Sequence, residues 1–182
     1  MTYTPKTYLY AAGYVASVAL ANLTLDIFVT LPWLGVFTFG TLFFALTFTF
    51  RDRVHHLSNS KTFVYQTIAA TALVNVIAAY FTDTAWRFII ASFIAIVLSE
   101  TADTEVFHAF KTKSWTRRVL TSNAISVPLD TAVFVLIAFY GSLPNNIMWQ
   151  IFQNDVLWKY AIATVIAVNI GKKAKQIYAT NT

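Results

Sequence analysis

The run WRFIIASFIAIVLSETADTEVF, Trp86–Phe107, decides what kind of protein this is. From Trp86 to Leu98 it carries a single charge, Arg87, among large apolar side chains; Ser99, Glu100, Asp103 and Glu105 then follow before the apolar character has ended. Its 22 residues would reach about 33 Å as a helix, enough for a hydrocarbon core of about 30 Å. Carboxylates at that depth are costly unless paired, hydrated or neutralised, so each one calls for an explanation.

Five further apolar segments flank this one. The sequence predicts an all-α integral membrane protein, a compact bundle of six transmembrane helices at Tyr8–Leu31, Gly35–Phe50, Thr62–Phe81, Trp86–Phe107, Ser122–Tyr140 and Ile147–Ile170. The second is short and is followed by the charged cluster Arg51-Asp52-Arg53, read here as a loop. Composition agrees: 57% of residues are hydrophobic, 12% are charged, and mean hydropathy is +0.59, whereas a soluble domain carries about 25% charge. Met1 to Thr7 runs straight into the first segment with no small-residue cleavage site, so that segment is expected to stay in the mature chain. Short connections leave no room for a soluble domain, and residues 1–182 are expected to form one unit.

Basic residues orient the bundle. Lys6, the group Arg51, Arg53 and Lys61, the group Lys111, Lys113, Arg117 and Arg118, and the tail Lys172, Lys173 and Lys175 hold 11 of the 13 Lys and Arg. Six helices put all four groups and both termini on one face, which the positive-inside bias makes cytoplasmic. The net charge of +5 then reflects juxtamembrane groups near lipid headgroups, and direct nucleic-acid binding is not expected.

The polar residues inside the segments are the functional candidates. Glu100 and Asp103 share a helical face, continued by Phe107, while Glu105 points elsewhere. Two carboxylates so placed need a cation, a proton or a polar ligand; the alternative is that Asp103 and Glu105 already lie near the cytoplasmic interface, with Lys111, Lys113 or Arg118 as partners. Asp130 lies deep in the fifth segment with Pro128 beside it, and Asn123, Ser126 and Asp130 form a polar stripe. Asp130 serves either a substrate or an interhelical hydrogen bond. Asn22 and Asp26 share a face of the first segment; Gln153 is a substrate-donor candidate; Asn75 suits interhelical glue. Asp155 and Lys159 are spaced to neutralise one another at i,i+4. Trp33, Trp86, Trp115 and Trp149 fit an aromatic belt at the two interfaces.

Enzymatic readings find no support. There is no cysteine, no zinc-type histidine spacing, no glycine-rich nucleotide loop and no serine elbow, so no cofactor or metal is expected. The adjacent His55 and His56 would not face one metal, and adjoin a basic loop at the interface.

The stretch ASFIAIVLSETADTEVFH (Ala91–His108), then Trp115-Thr-Arg117-Arg118, then TSNAISVPLDTAVF (Thr121–Phe134) and Ile137-Ala-Phe139-Tyr-Gly141 resembles the queuosine precursor transporter family, also called the VUT or vitamin uptake family. Family-like positions are Ser99, Asp103, Phe107, His108, Arg117, Ser122, Ser126, Asp130 and Phe134. The chain departs from the pattern at Arg118, at Phe50-Arg51-Asp52-Arg53-Val54 where the family has a more acidic signature, and at Val127-Pro128 where a Gln is usual; it resembles a divergent member.

The resemblance implies import of a small planar 7-deazaguanine, typically the 7-cyano or 7-aminomethyl base. A guanine-like edge offers a ring N–H beside an exocyclic amine, and one carboxylate accepts both. Asp130 is the first choice for that role, with Asn123, Ser126, Asn22 or Gln153 reading the rest of the base and an aromatic ring stacking on it. Glu100 or Asp103 would hold substrate, a coupling proton or the contact between the fourth and fifth helices. A homodimer is compatible with this arrangement. Two other classes compete: a structural or assembly membrane protein, and a substrate-binding subunit of a larger ATP-driven importer.

Overall fold

The computed structural model describes residues 3–24, 27–32, 35–81 and 85–180. Asp26 and Trp33, both singled out in the sequence, lie outside the described residues. Six helices and one hairpin follow in order: α1 Pro5–Leu23, β1 Phe28–Leu31, β2 Gly35–Thr38, α2 Gly40–Ser58, α3 Lys61–Phe81, α4 Trp86–Ala109, α5 Trp115–Phe139 and α6 Asn145–Thr180.

The expected six-helix bundle is present, with corrected boundaries. The first helix ends at Leu23 rather than Leu31, because Phe28–Leu31 pairs antiparallel with Gly35–Thr38, in the register Phe28↔Thr38 to Leu31↔Gly35. Aromatic and β-branched residues just before Pro32 favour extended backbone, and a continuous apolar run does not distinguish strand from helix. The small hairpin is an addition to the all-α reading. The second helix starts at Gly40 rather than Gly35 and runs through Arg51-Asp52-Arg53 to Ser58, where Asn59 in the left-handed region (φ 47°) sends its N–H to the His55 carbonyl. The charged cluster is therefore helical and not a loop. The fifth helix begins at Trp115 rather than Ser122 and carries Pro128 inside it; Gly141 (φ 76°) follows its C-terminus, where only glycine is unstrained. The sixth helix extends beyond both expected ends.

Helix starts follow local chemistry. Thr4 caps α1 by accepting the Thr7 N–H, and Pro5 occupies the first turn, where its missing N–H costs nothing.

The helices close a ring in which neighbours pack in the order α1, α2, α6, α5, α4, α3 and back to α1, with α4 on α5 the most extensive interface. An apolar core of Tyr14, Val18, Phe44, Ile68, Phe134 and Ile151, among others, fills part of the interior. The rest of the interior is polar. Arg51, Asp52, Glu100, Asp103, Asp130, Asp155 and Lys159 are all buried, whereas Leu9, Leu73, Trp86 and Val165 are 60% or more exposed. This reverses the partition of a water-soluble core. By length and composition one helix among the described residues, α5, is apolar enough to cross a membrane, against the six expected. Most of the ionisable groups in the middle of α2, α4 and α6, namely Arg51, Asp52, Glu100, Asp103, Asp155 and Lys159, are turned into the ring, while Glu105 stays outside.

Candidate functional site

Two helices supply the frame of the polar interior with one repeated motif. Ser99-x-x-x-Asp103-Thr104-x-Val106-Phe107 on α4 recurs as Ser126-x-x-x-Asp130-Thr131-x-Val133-Phe134 on α5. A spacing of four puts Ser, Asp and Phe on one helical face, and α4 and α5 pack closely. Each Ser thus meets the other helix's Asp: Ser126 donates to Asp103 Oδ1 at 2.7 Å, and Ser99 to Asp130 Oδ1 at 3.3 Å. Serine hydroxyls suit this position because they donate to a carboxylate while letting two helices approach.

Each aspartate then receives a cation from a different helix. Arg51 of α2 reaches across the ring to Asp103 Oδ2 at 2.5 Å and Glu100 Oε2 at 2.9 Å, and also binds Asp52 Oδ1 at 2.9 and 3.0 Å. Lys159 of α6 meets Asp130 Oδ2 at 3.0 Å and Thr131 Oγ1 at 3.1 Å, with its ammonium 4.9 Å from the Phe44 ring centre. None of these charged side chains is more than 4% exposed.

Several sequence expectations change here. Asp103 does not pair with Lys111, Lys113 or Arg118; with Glu100 it faces Arg51. Arg118 instead donates to the Phe107 carbonyl and lies 3.9 Å over the Phe107 ring. Asp155 and Lys159 form the expected i,i+4 ion pair, at 4.0 Å, but it is not the nearer of the two that Lys159 makes. Asp155 accepts from Thr41 at 2.5 Å, and Lys159 leans to Asp130 because that carboxylate lies closer. Glu105 is exposed and bonds Lys61 and Tyr65.

Of the proposed substrate ligands, Asp130, Ser126, Asn123, Glu100 and Asp103 lie buried on α4 and α5. Asn123 keeps both amide atoms buried and unpartnered, a donor and an acceptor with nothing to bind. Asn22 lies elsewhere, in a knot joining α1, α3 and α4: it donates to Asn75 at 2.7 Å and accepts from Ser92 at 2.7 Å. Gln153 is exposed on α6. Sequence reasoning passed over Arg51, Asp52 and His55, assigned to an interfacial loop, and Tyr14. The duplicated Ser-x-x-x-Asp-Thr-x-Val-Phe motif was the signal that the two aspartates work as a pair.

Chemically, this interior holds paired carboxylates, two cations that bridge helices, and open amide valences. Donors and acceptors of this kind, held in an apolar shell, are suited to hold a small polar solute. Among the described residues no group of three or more His, Asp or Glu is placed to hold a metal ion.

Comparison with curated proteins and with solved structures gives no match. Residues 62–170 match the family described as "Putative vitamin uptake transporter". That stretch takes in Glu100, Asp103, Asn123, Asp130 and Lys159, and leaves Arg51 outside. A match over more than half of the chain, on the helices that build the polar interior, places this membrane-associated protein in the putative vitamin uptake transporter family.

Proposed function

We propose that the protein imports a queuosine precursor, 7-cyano- or 7-aminomethyl-7-deazaguanine, across a prokaryotic inner membrane by alternating access, without covalent chemistry, as a single chain or a homodimer. All six helices span the bilayer, with both termini cytoplasmic. The observation that carries the reading is the Asp130–Lys159 pair buried beside the unpartnered Asn123 amide in a ring of helices that is apolar outside. Orientation rests on Lys6, Lys61, Lys111, Lys113, Arg117 and Lys172, since Arg51 is a core residue.

In the resting state Asp130 is neutralised by Lys159. A planar base offering a ring N–H and an amine takes over the Asp130 carboxylate, and the Lys159 ammonium shifts toward Asp155, 4.0 Å away. Asn123 lies seven residues before Asp130 on the same helical face, about 10 Å along the axis, a span over which the two side chains would meet opposite edges of a bicyclic base. The exchange of Lys159 from Asp130 to Asp155 loosens α5 from α6, while Asp155 keeps its bond to Thr41 of α2. That is a switch of the kind alternating access requires.

The test is titration of the purified protein in lipid with both deazaguanines, with guanine and a vitamin panel as controls, for wild type and Asp130→Asn. The expected result is selective binding of a deazaguanine, weakened in the variant at least about tenfold, roughly 1.4 kcal/mol. Folded wild-type protein that binds neither base overturns the substrate assignment.

A further inference from the structure

In the buried group formed by Arg51, Asp52, Glu100 and Asp103, one guanidinium faces three carboxylates. Asp103 is engaged on both oxygens, by Arg51 and by Ser126. Asp52 uses Oδ1 alone, and its Oδ2 is buried without a partner. Glu100 has the least support of the three, a single contact from Oε2 to Arg51 at 2.9 Å, where Asp52 and Asp103 each receive two. With all three ionised the group carries two uncompensated negative charges in a nearly water-free interior, a state that costs several kcal/mol per ion.

Among the described residues the surrounding elements do not supply the missing positive charge: Arg53 of α2 is turned to the Tyr10 and Trp115 rings, and Lys61 of α3 pairs with Glu105. From α5, Asp130 is already balanced by Lys159 of α6, and Asp155 of α6 adds a further carboxylate. Arg118 of α5 is within reach of the Asp52 charge but is held on the Phe107 carbonyl and ring. From α1 comes Tyr14, wholly buried, its hydroxyl unpartnered and in the field of Glu100, Arg51, Asp130 and Asp103. A metal ion would need the centre of the cluster, with several oxygens around it, and the guanidinium already holds that centre. A proton needs only one carboxylate oxygen.

A second feature points the same way. His55 lies one turn beyond Arg51 and Asp52 on α2, is 1% exposed, and has neither ring nitrogen bonded. It stacks on His108, 5.7 Å away at 11°, and His108 is half-buried in the last turn of α4. A buried imidazole with both nitrogens idle is expensive as packing, yet it is equipped to accept a proton on one side and donate on the other.

We infer that Glu100 holds an exchangeable proton inside the bundle, and that His55 and His108 connect it to the end of the bundle bearing the α4–α5 connection. Proton loss from Glu100 would strengthen its hold on Arg51 and draw α2 toward α4, so occupancy and helix packing are linked. As the coupling ion of the import proposed above, this proton rests on that reading; its presence on Glu100 does not.

Infrared difference titration of the full chain in lipid, in H2O and D2O, reads the carbonyl stretch of a protonated carboxyl group directly. At neutral pH the wild type is expected to show such a band, shifted in D2O and lost in Glu100→Gln. His55→Phe should keep the band and slow its exchange into D2O by roughly a hundredfold, the scale of losing a positioned proton carrier. Glu100→Gln resembles the protonated side chain and is expected to fold; should it not, Glu100→Asp must displace the band. No protonated-carboxyl band in the wild type, or one that survives Glu100→Gln, overturns the site, and unchanged exchange in His55→Phe overturns the path. A band that persists in a protein binding no deazaguanine would sink the substrate reading alone. Substrate flux in proteoliposomes indifferent to an imposed pH gradient would overturn the coupling role alone.

Discussion

Removing the ammonium of Lys159 tests the arrangement at its most exposed point. Lys159 lies 3.0 Å from Asp130 and 4.0 Å from Asp155. With an effective dielectric constant of about 20, those separations give attractions of about 5.5 and about 4 kcal/mol, so the ammonium favours Asp130 by roughly tenfold. Lys159→Met keeps most of the side-chain volume and leaves Asp130 with the Ser99 hydroxyl and Asp155 with Thr41 and the Thr38 backbone. Breaking a buried pair from one side costs about 3 to 5 kcal/mol, because a charge is stranded. Asp130→Asn on the same background removes the stranded charge, and the double variant should recover all but about 1 to 2 kcal/mol. Asp130→Asn alone should cost about 1 to 2 kcal/mol, because Lys159 can turn to Asp155, so the coupling energy, both single costs less the double, is expected at about 2 to 6 kcal/mol. Reversible unfolding in detergent of the wild type, both single variants and the double variant measures it. Raising salt should change the result little, since the pair is shielded from solvent. Additive single effects, with coupling below about 0.5 kcal/mol, would refute Lys159 as the counter-ion of Asp130, and with it the proposed exchange between carboxylates.

Two further outcomes follow from the same geometry. Ser126→Ala should destabilise by about 1 to 3 kcal/mol, because it strips a 2.7 Å donor from the buried Asp103 oxygen. Ser99→Ala, whose bond to Asp130 is 3.3 Å long, should cost less; melting curves of the two variants in one detergent give the order, and the reverse order would contradict the pairing. Where α6 crosses α5, a methyl group added at Gly171 would collide with the Thr116 hydroxyl. Gly171→Ala should accordingly cost about 1 to 3 kcal/mol, and Thr116→Ala in the same chain should restore most of it; no rescue would mean the two helices separate there without strain.

Much of the fold could be read from hydropathy. The third and fourth helices run close to where the apolar segments lie, because long runs of Ile, Ala, Val and Phe have no other stable arrangement in lipid. The errors fall where hydropathy is silent. Phe28–Leu31 is as apolar as a helix and forms a strand, since β-branched residues before a proline are decided by local sterics. Arg51-Asp52-Arg53 looks like a loop by charge and is the middle of a helix, since Arg51 finds Glu100 and Asp103 across the bundle.

The candidate site divides along the same line. Local spacing on one helix determines that Glu100 and Asp103 share a face, and that Ser126 and Asp130 do, because 3.6 residues per turn is a property of the backbone. The family, too, is legible in the ordered motifs of α4 and α5. Which cation answers which carboxylate is not, because that depends on how six helices pack. Lys159 stands four residues from Asp155 in the chain and pairs more closely with Asp130 on another helix; Asn22 has the chemistry of a ligand and is used up between Asn75 and Ser92. Charges buried together interact through distances of a few ångströms between residues tens of positions apart, and only the tertiary structure sets those distances.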